Sequence, residues 1–576
     1  MAGTAALRGA AGNARAKGRA VDDGGMPTPP VPPRGRIEAG DMDLADFIER
    51  NATFTPAKVA IRFAQSTISY RQLAEQIAAS ARGLAALDIG PGDAVALLAA
   101  NHPAYLVLLY ACARLGPMLV PINWRLAVPE QLYIFADARA KALVLEESYA
   151  GVLGALRDAA PAMRIIGLDF APAGGTTLAA LQQVSGGAQP RDGEISRPLL
   201  VVYTSGTTGR PKGAVLSQQA LIWNGVMSQH MHDMTSRDHV LTVLPMFHVG
   251  GLNIQTTPAL QLGASVTLHP RFAPQPTLEA IAHDGPTLTV LVPATIQALI
   301  EHPDWQHTRL DSLRAVTTGS TQVPQRFIDA FRDRGVPVLQ VYGATETCPL
   351  AVYTRLSGDW RRAGSSGLPG LACEAKLVDD AGREVAAGAP GEVIVRGPNV
   401  FTHYHGDAAA TGAALREGWY YSGDVGTRDA EGHFFIHDRK RNVIISGGEN
   451  VYPAEVERVL SQHPAIAAAA VVGRADERWQ EVPVACLVLR PGAAAEPGEL
   501  EAFCLARLAR YKVPRQYLFL EALPLNAMGK VQHFRLKQLI AGEAATGSPE
   551  ARSTTERAAD ENRRPGRWQW LVRRRR

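Results

Sequence analysis

The segment Thr204-Ser205-Gly206-Thr207-Thr208-Gly209, with Lys212 close behind, directly follows the apolar run Leu199–Tyr203. Glycine allows close backbone approach, so successive N–H groups can form an anion-binding nest, and the hydroxyls add donors. Lys212 adds a positive charge of long reach. Together these groups make a phosphate cradle; the plainer alternative is a glycine-rich turn between strands with polar filler. Lys212 is followed by Gly213 and Ala214, not by the Ser or Thr of a GxxxxGKS or GxxxxGKT loop, which argues against a P-loop NTPase. Glu346, in Tyr342-Gly343-Ala344-Thr345-Glu346-Thr347, could serve a hard dication that prefers carboxylate and phosphate oxygens, or simply favour a helix N-terminus. His248, in LPMFHVGGLN (Leu244–Asn253), is of a type more often structural than catalytic in apolar surroundings.

The elements that must position these groups are legible as alternating patterns. Apolar β-forming runs occur at Ala94–Ala99, Lys141–Leu145, Leu199–Tyr203, Ser265–Leu268, Thr287–Val292, Leu313–Val316 and Val338–Tyr342. Helical stretches such as Tyr70–Leu87 and Gln325–Arg334 separate them. The alternation predicts an α/β fold with largely parallel sheets. Tyr105–Ile122 is broken by Arg114, Gly116 and Pro117 and reads as a buried helix followed by a strand, not a membrane span. Near residue 438 the pattern changes to a compact α+β unit. Its strands are predicted at Ala468–Val472 and Val482–Leu489, its helices at Ala454–Leu460 and Gly498–Ala509, with a loop after them. The expected division is a large domain over 42–437 and a small one over 442–540, with 438–441 between them.

The net charge of +4 comes from the tails: residues 1–40 carry +3 and residues 541–576 carry +4, leaving −3 for the middle. The middle therefore shows no nucleic-acid face. Residues 1–41 and 541–576 lack apolar periodicity and are expected to be disordered, with a transit peptide as the alternative for the first and an anionic-surface anchor for the second. Five scattered cysteines, with no CxxC pair, indicate neither a disulfide framework nor a zinc site and suit a reducing cytoplasm. No transmembrane segment is evident, and monomer and homodimer both stay open.

The string YTSGTTGRPKGAVLS (Tyr203–Ser217) closely resembles the signature loop of the adenylate-forming superfamily, which includes acyl-CoA synthetases, luciferases and peptide-synthetase adenylation domains. Downstream, in family order, come LPMFHVGGLN, VYGATET (Val341–Thr347), YSGD (Tyr421–Asp424), DRKRNVIISGGENVYPAEVE (Asp438–Glu457) and PLNAMGKV (Pro524–Val531). The resemblance covers roughly 42–540 and implies a large domain of stacked mixed sheets and helices, with a small mobile domain closing over the site. It also implies the reaction: attack of a carboxylate on the α-phosphorus of ATP, release of pyrophosphate, then transfer of the acyl group to coenzyme A with release of AMP.

Roles follow from motif position. Thr204, Ser205, Gly206, Thr207, Thr208 and Gly209, with Lys212, are expected to hold phosphates. Glu346 is expected to hold Mg²⁺, and Thr345 to meet the α-phosphate. Tyr342 and Gly343 would line the adenine slot opposite Gly319 and Ser320; Asp424 would accept the ribose hydroxyls, and Arg439 would touch ribose or phosphate. Lys530 would reach the α-phosphate and the attacking carboxylate during adenylation. Gly447 and Gly448 would admit the pantetheine thiol after rotation about Arg441. The acyl pocket is expected among His248, Val249, Gly250, Gly251 and Ala344, with Trp223, Asn253, Pro349 and Leu350 nearby. The sequence departs from many relatives at Thr317-Thr318-Gly319-Ser320, where two hydroxyls add polarity to the pocket floor. With no arginine evident for a second carboxylate, the expected acid is a medium or long fatty acid or an aryl acid. The alternatives are an acyl-AMP ligase loading a carrier protein and a non-catalytic nucleotide-binding homologue.

Overall fold

The computed structural model describes residues 42–185, 194–204, 211–319, 323–358, 360–446, 449–476, 479–525 and 529–545. Two sheets form the heart of the larger part. One has eight strands in the order His403–Tyr404, Lys212–Ser217, Pro198–Thr204, Met118–Pro121, Ala94–Leu98, Ala140–Leu145, Arg164–Gly167 and Thr176–Thr177. The other has nine, running through Val338–Tyr342, Ala315–Gly319, Leu288–Val290, His239–Thr242, Ser265–Leu268 and Val59–Phe63. Their middles are parallel and three of their four edges antiparallel, the Thr176–Thr177 edge alone being parallel to its neighbour.

Side-chain alternation explains the layering. In Ala94–Leu98, Val95 and Leu97 join the core shared by both sheets, while Ala94, Ala96 and Leu98 join a second core under Ile134, Phe135 and Leu156. Strands apolar on both faces can only be buried strands. The helix Ala104–Leu115 lies in the shared core and is buried at every residue, which accounts for its lack of a polar face. It ends at Gly116 (φ 100°), whose left-handed conformation directs its N–H to the Cys112 carbonyl at 2.7 Å, and Met118 then starts a strand. The helix Tyr70–Ala86 starts at a capping box: Gln72 N–H donates to Ser69 Oγ, and Ser69 N–H donates back to Gln72 Oε1 at 2.8 Å.

The prediction of largely parallel sheets is corrected in two places. A third sheet (Glu374–Val378, Gly391–Arg396, Leu415–Arg416, Trp419–Arg428 and Phe434–Arg439) is antiparallel throughout. The C-terminal sheet is antiparallel except where Gln516–Phe519 runs parallel to Gln480–Leu489. The one parallel pair, Gln480–Leu489 with Gln516–Phe519, is the one whose connection carries a crossover helix, Pro497–Leu505. The loop expected after the second C-terminal helix is also corrected. That helix ends at Leu505, and the strand Gln516–Phe519 and the helix His533–Ala545 follow. Leu536 and Ile540, one turn apart on that last helix, pack under the sheet beside Val472 and Val484. Leu313–Val316 shifts to Ala315–Gly319, so the strand runs up to the site.

Candidate active site

Strands Pro198–Thr204 and Lys212–Ser217 are antiparallel, with Thr204 opposite Lys212. The hydroxyl-rich segment is therefore the connection of a hairpin and leads into a strand. Ser205, Gly206, Thr207, Thr208 and Gly209 lie outside the described residues, as do Ser320, Gly447, Gly448 and the side chain of Arg441. Thr204 and Lys212 mark where the loop leaves and rejoins the sheet. Lys212 Nζ sits 3.8 Å from Asp407 Oδ2 and 5.5 Å from the centre of the Tyr404 ring.

Beyond the strand Val338–Tyr342 the chain makes a tight turn, Thr345–Thr347, which buries Thr345 and Glu346. Gly343 is required there: a Cβ would stand 1.7 Å from the Pro349 carbonyl oxygen. Gly319 is hemmed in likewise by the Val341 carbonyl, at 2.3 Å. The Glu346 carboxylate is fixed by Tyr404, whose hydroxyl donates to Oε1 at 2.6 Å. Its Oε2 atom makes no bond among the described residues. Tyr404 lies on the edge strand His403–Tyr404, which pairs with Lys212–Ser217.

Asp424 and Arg439 face one another across two antiparallel strands. Arg439 Nε lies 2.7 Å from Asp424 Oδ1, and the Tyr342 hydroxyl donates to Asp424 Oδ2 at 2.9 Å. Burial raises the Asp424 pKa, against the pull of Arg439, while the Asp424 carboxylate raises that of Arg439.

Lys530 arrives from the small C-terminal part on a turn made by Gly529 (φ 76°). Burial and the Arg439 cation lower its pKa; Asp424 and Glu346 act in the opposite direction. His248 is near enough to feel Lys530, and burial, aided by that cation, drives its pKa down to about 3. Its Nδ1 accepts the Gly250 N–H at 3.0 Å, so the neutral ring carries its proton on Nε2 and offers a donor there. Lys212, Glu346, Tyr342, Asp424 and Arg439 thus gather on the large part around one centre, and Lys530 reaches it from the other side.

The residues expected at the acyl pocket divide. Val249 and Asn253 are fully buried, and Asn253 Oδ1 and Nδ2 face Thr257 and Cys348. A Cβ on Gly251 would stand 2.3 Å from the Pro245 carbonyl oxygen, so that glycine serves helix packing. Trp223 is 39% exposed. Sequence reasoning missed Tyr404 and Asp407. Tyr404 sits 58 residues from Glu346, and Asp407 is far more distant in the chain from Lys212; no local pattern marks such pairings.

The donor set suits a nucleotide and a magnesium ion. Among the described residues no group of three or more His, Cys, Asp or Glu could cage a metal alone. One carboxylate fixed by a neighbouring hydroxyl suits a dication held chiefly by phosphate oxygens and water. Fold and site together define an adenylate-forming enzyme.

The chain belongs to the AMP-binding enzyme family, whose sequence profile matches residues 48–405, and the family's C-terminal domain matches residues 455–530. It is 47% identical over 502 residues to the indoleacetate–CoA ligase of Aromatoleum aromaticum, covering 87% of this chain and 98% of that one. It is 38% identical to a feruloyl-CoA synthase of an Amycolatopsis species, covering 85% and 98%. It superposes with a TM-score of 0.76 on the Bacillus subtilis o-succinylbenzoate coenzyme A synthetase in complex with ATP and magnesium. That protein is 31% identical, with 85% of this chain and 99% of that one covered. The chain is an ATP-dependent acid–CoA ligase acting through an acyl-adenylate, with ATP and coenzyme A as substrates. No helix among the described residues is long and apolar enough to cross a membrane.

Proposed function

We propose that the acid is an aryl acid and that the residues gathered above carry its activation. The observation that carries the aryl reading is the 47% identity spanning 98% of an indoleacetate–CoA ligase. The apolar residues around His248 support it: Val249, Leu252, Leu350 and Val341 are buried in one core with Phe247.

In the first half-reaction a carboxylate oxygen forms a bond to the α-phosphorus of ATP, and the bond to the pyrophosphate oxygen breaks. Two anions must meet, so cations decide the barrier: two unit charges about 4 Å apart interact by about 4 kcal/mol at an effective dielectric near 20. Lys530 would offset the charge at the α-phosphate and the acid, and Lys212 would do so at the β- and γ-phosphates with Thr204 and the loop. Magnesium, held by Glu346 and phosphate oxygens, would supply further neutralisation. Asp424 would accept the ribose hydroxyls, its orientation set by Tyr342 and Arg439; Tyr342, Gly343 and Gly319 would border the adenine, and Thr345 the α-phosphate. In the second half-reaction the thiol sulfur of coenzyme A bonds to the acyl carbon, the acyl–phosphate bond breaks, AMP leaves and the thiol proton is lost. The small domain, 442–540, would turn about Arg441 within 438–441, withdrawing Lys530 and advancing Gly447 and Gly448 for the pantetheine arm. Four of the five cysteines are buried free thiols, which suits a reducing cytoplasm.

The test is AMP release in the presence of coenzyme A with indoleacetate, phenylacetate, ferulate and octanoate. The expected result is a kcat/KM for at least one aryl acid about tenfold or more above that for octanoate. The reverse order would remove the aryl reading, and no AMP with any acid would remove the assigned chemistry as well.

A further inference from the structure

Behind the helix that begins at His248, three buried polar side chains form a chain of fixed polarity. His232 Nδ1 lies 2.7 Å from the Ser228 carbonyl, so Nδ1 carries the proton and Nε2 is an acceptor. Burial lowers the pKa of this ring to about 4, so it is neutral at working pH. Thr317 Oγ1 lies 2.7 Å from that Nε2 and donates to it. The Gln255 amide nitrogen then faces two acceptors, Thr317 Oγ1 at 3.1 Å and His232 Nε2 at 3.0 Å. A flipped amide would set oxygen against the ring lone pair, so the network itself fixes which end of Gln255 is which. Its Oε1 atom is buried and has no hydrogen-bond partner, in a residue only 1% exposed. Such an acceptor is costly unless something pairs with it.

Gln255 also lines a small cavity with Val240, Leu244, Gly251, Thr256 and Val290. Leu244 and Gly251 flank His248 in the chain, and Thr317 lies two residues before Gly319 on the strand that ends at the site. The cavity thus adjoins the region assigned to the acid; its walls are mostly apolar, and its other polar side chains, Thr242 and Thr256, hydrogen-bond to each other at 2.7 Å.

We propose that Gln255 is a specificity-determining residue, whose Oε1 accepts a hydrogen bond from an N–H or O–H group at the far end of the acid's ring. Thr317 and His232 are positioning residues that hold the amide in that orientation. The hydroxyl of Thr317, one of the sequence's departures from many relatives, thereby acquires a purpose. A ring without the donor fits the same walls but leaves the acceptor unpaired, and sites built this way discriminate more strongly than apolar ones. The inference rests on the aryl-acid reading.

The full-length protein tests it without any mutation: kcat/KM for AMP release, with coenzyme A present, is compared for indoleacetate and for its benzothiophene analogue, in which sulfur replaces N–H. The expected preference for the N–H acid is about tenfold to a hundredfold. Gln255→Met is expected to bring the ratio close to one while turnover of the sulfur analogue stays within about threefold. Thr317→Val is expected to lower the ratio part of the way, and it decides the matter with the wild-type ratio if Gln255→Met does not fold. A wild-type ratio near one, as a water bound at Oε1 would give, or an unchanged ratio in Gln255→Met, would overturn the proposal while leaving the aryl reading intact. Turnover of octanoate but of neither ring acid would overturn both.

Discussion

The two sides of the site are built differently. On the large side every charged group is tied to a neighbour on an adjoining strand or turn: Asp424 to Tyr342 and Arg439, Glu346 to Tyr404, Lys212 to Asp407. Strand pairing sets those distances, and the buried hydroxyls keep the carboxylates from swinging. The small side contributes one lysine, Lys530, from a turn shaped by a glycine at positive φ, and its surroundings lower its pKa. The first arrangement suits a nucleotide platform that serves both half-reactions. The second suits a cation needed for only one of them and otherwise removed.

The sharpest way to break this contrast is Lys530→Ala. Adenylation should fall by about a hundredfold or more, as for loss of one preorganised electrostatic group, while thioester formation from supplied acyl-AMP stays within a few-fold. Equal loss in both half-reactions would make Lys530 part of the platform.

Asp424→Asn comes next. It removes the charge that pairs with Arg439 and one of the two oxygens proposed to accept the ribose hydroxyls, and should raise the KM for ATP by about thirtyfold in steady-state assays. Because the platform serves both steps, this variant should also slow thioester formation from acyl-AMP. A purely adenylation-side defect would contradict that.

Tyr404→Phe should act more mildly, lowering kcat about tenfold and raising the magnesium concentration needed for half-maximal rate, because Glu346 loses the hydroxyl that orients it. An unchanged magnesium dependence would separate Tyr404 from the metal.

The smallest effect is in the pH profile. Lys530 has a lowered pKa, so its charge is lost as pH rises through a value below that of an ordinary lysine. The adenylation rate should therefore decline on the alkaline side, and Lys530→Arg should move that decline to higher pH. His248, with its pKa near 3, should add no limb near 6.5. A pH–rate profile of pyrophosphate exchange measures both.

Much of this contrast was legible in the sequence, and for identifiable reasons. Leu199–Tyr203 carries uninterrupted apolar β-formers and Val338–Tyr342 is apolar except at Gln340, because these strands are largely buried, and the motifs follow them directly. Lys530 announced itself only through the PLNAMGKV string, since its chemistry depends on a partner more than a hundred residues away. Tyr404 and Gln255 were not legible. Each acts through a neighbour fixed by tertiary packing: Tyr404 through Glu346 across an edge strand, Gln255 through a histidine on another helix. Thr317 was noticed for its hydroxyl, but only the fold shows where that hydroxyl donates. The antiparallel third sheet escaped because its short strands at Glu374–Val378 and Gly391–Arg396 mix charged and apolar residues, and they were not separated from turns.

The most direct measurement is exchange of labelled pyrophosphate into ATP, with magnesium and an aryl acid present and coenzyme A left out. Formation of the acyl-adenylate at the junction predicts acid-dependent exchange in the wild-type protein that is lost in Lys530→Ala. Absence of exchange while coenzyme A-dependent turnover of the same acid continues would contradict activation through an adenylate.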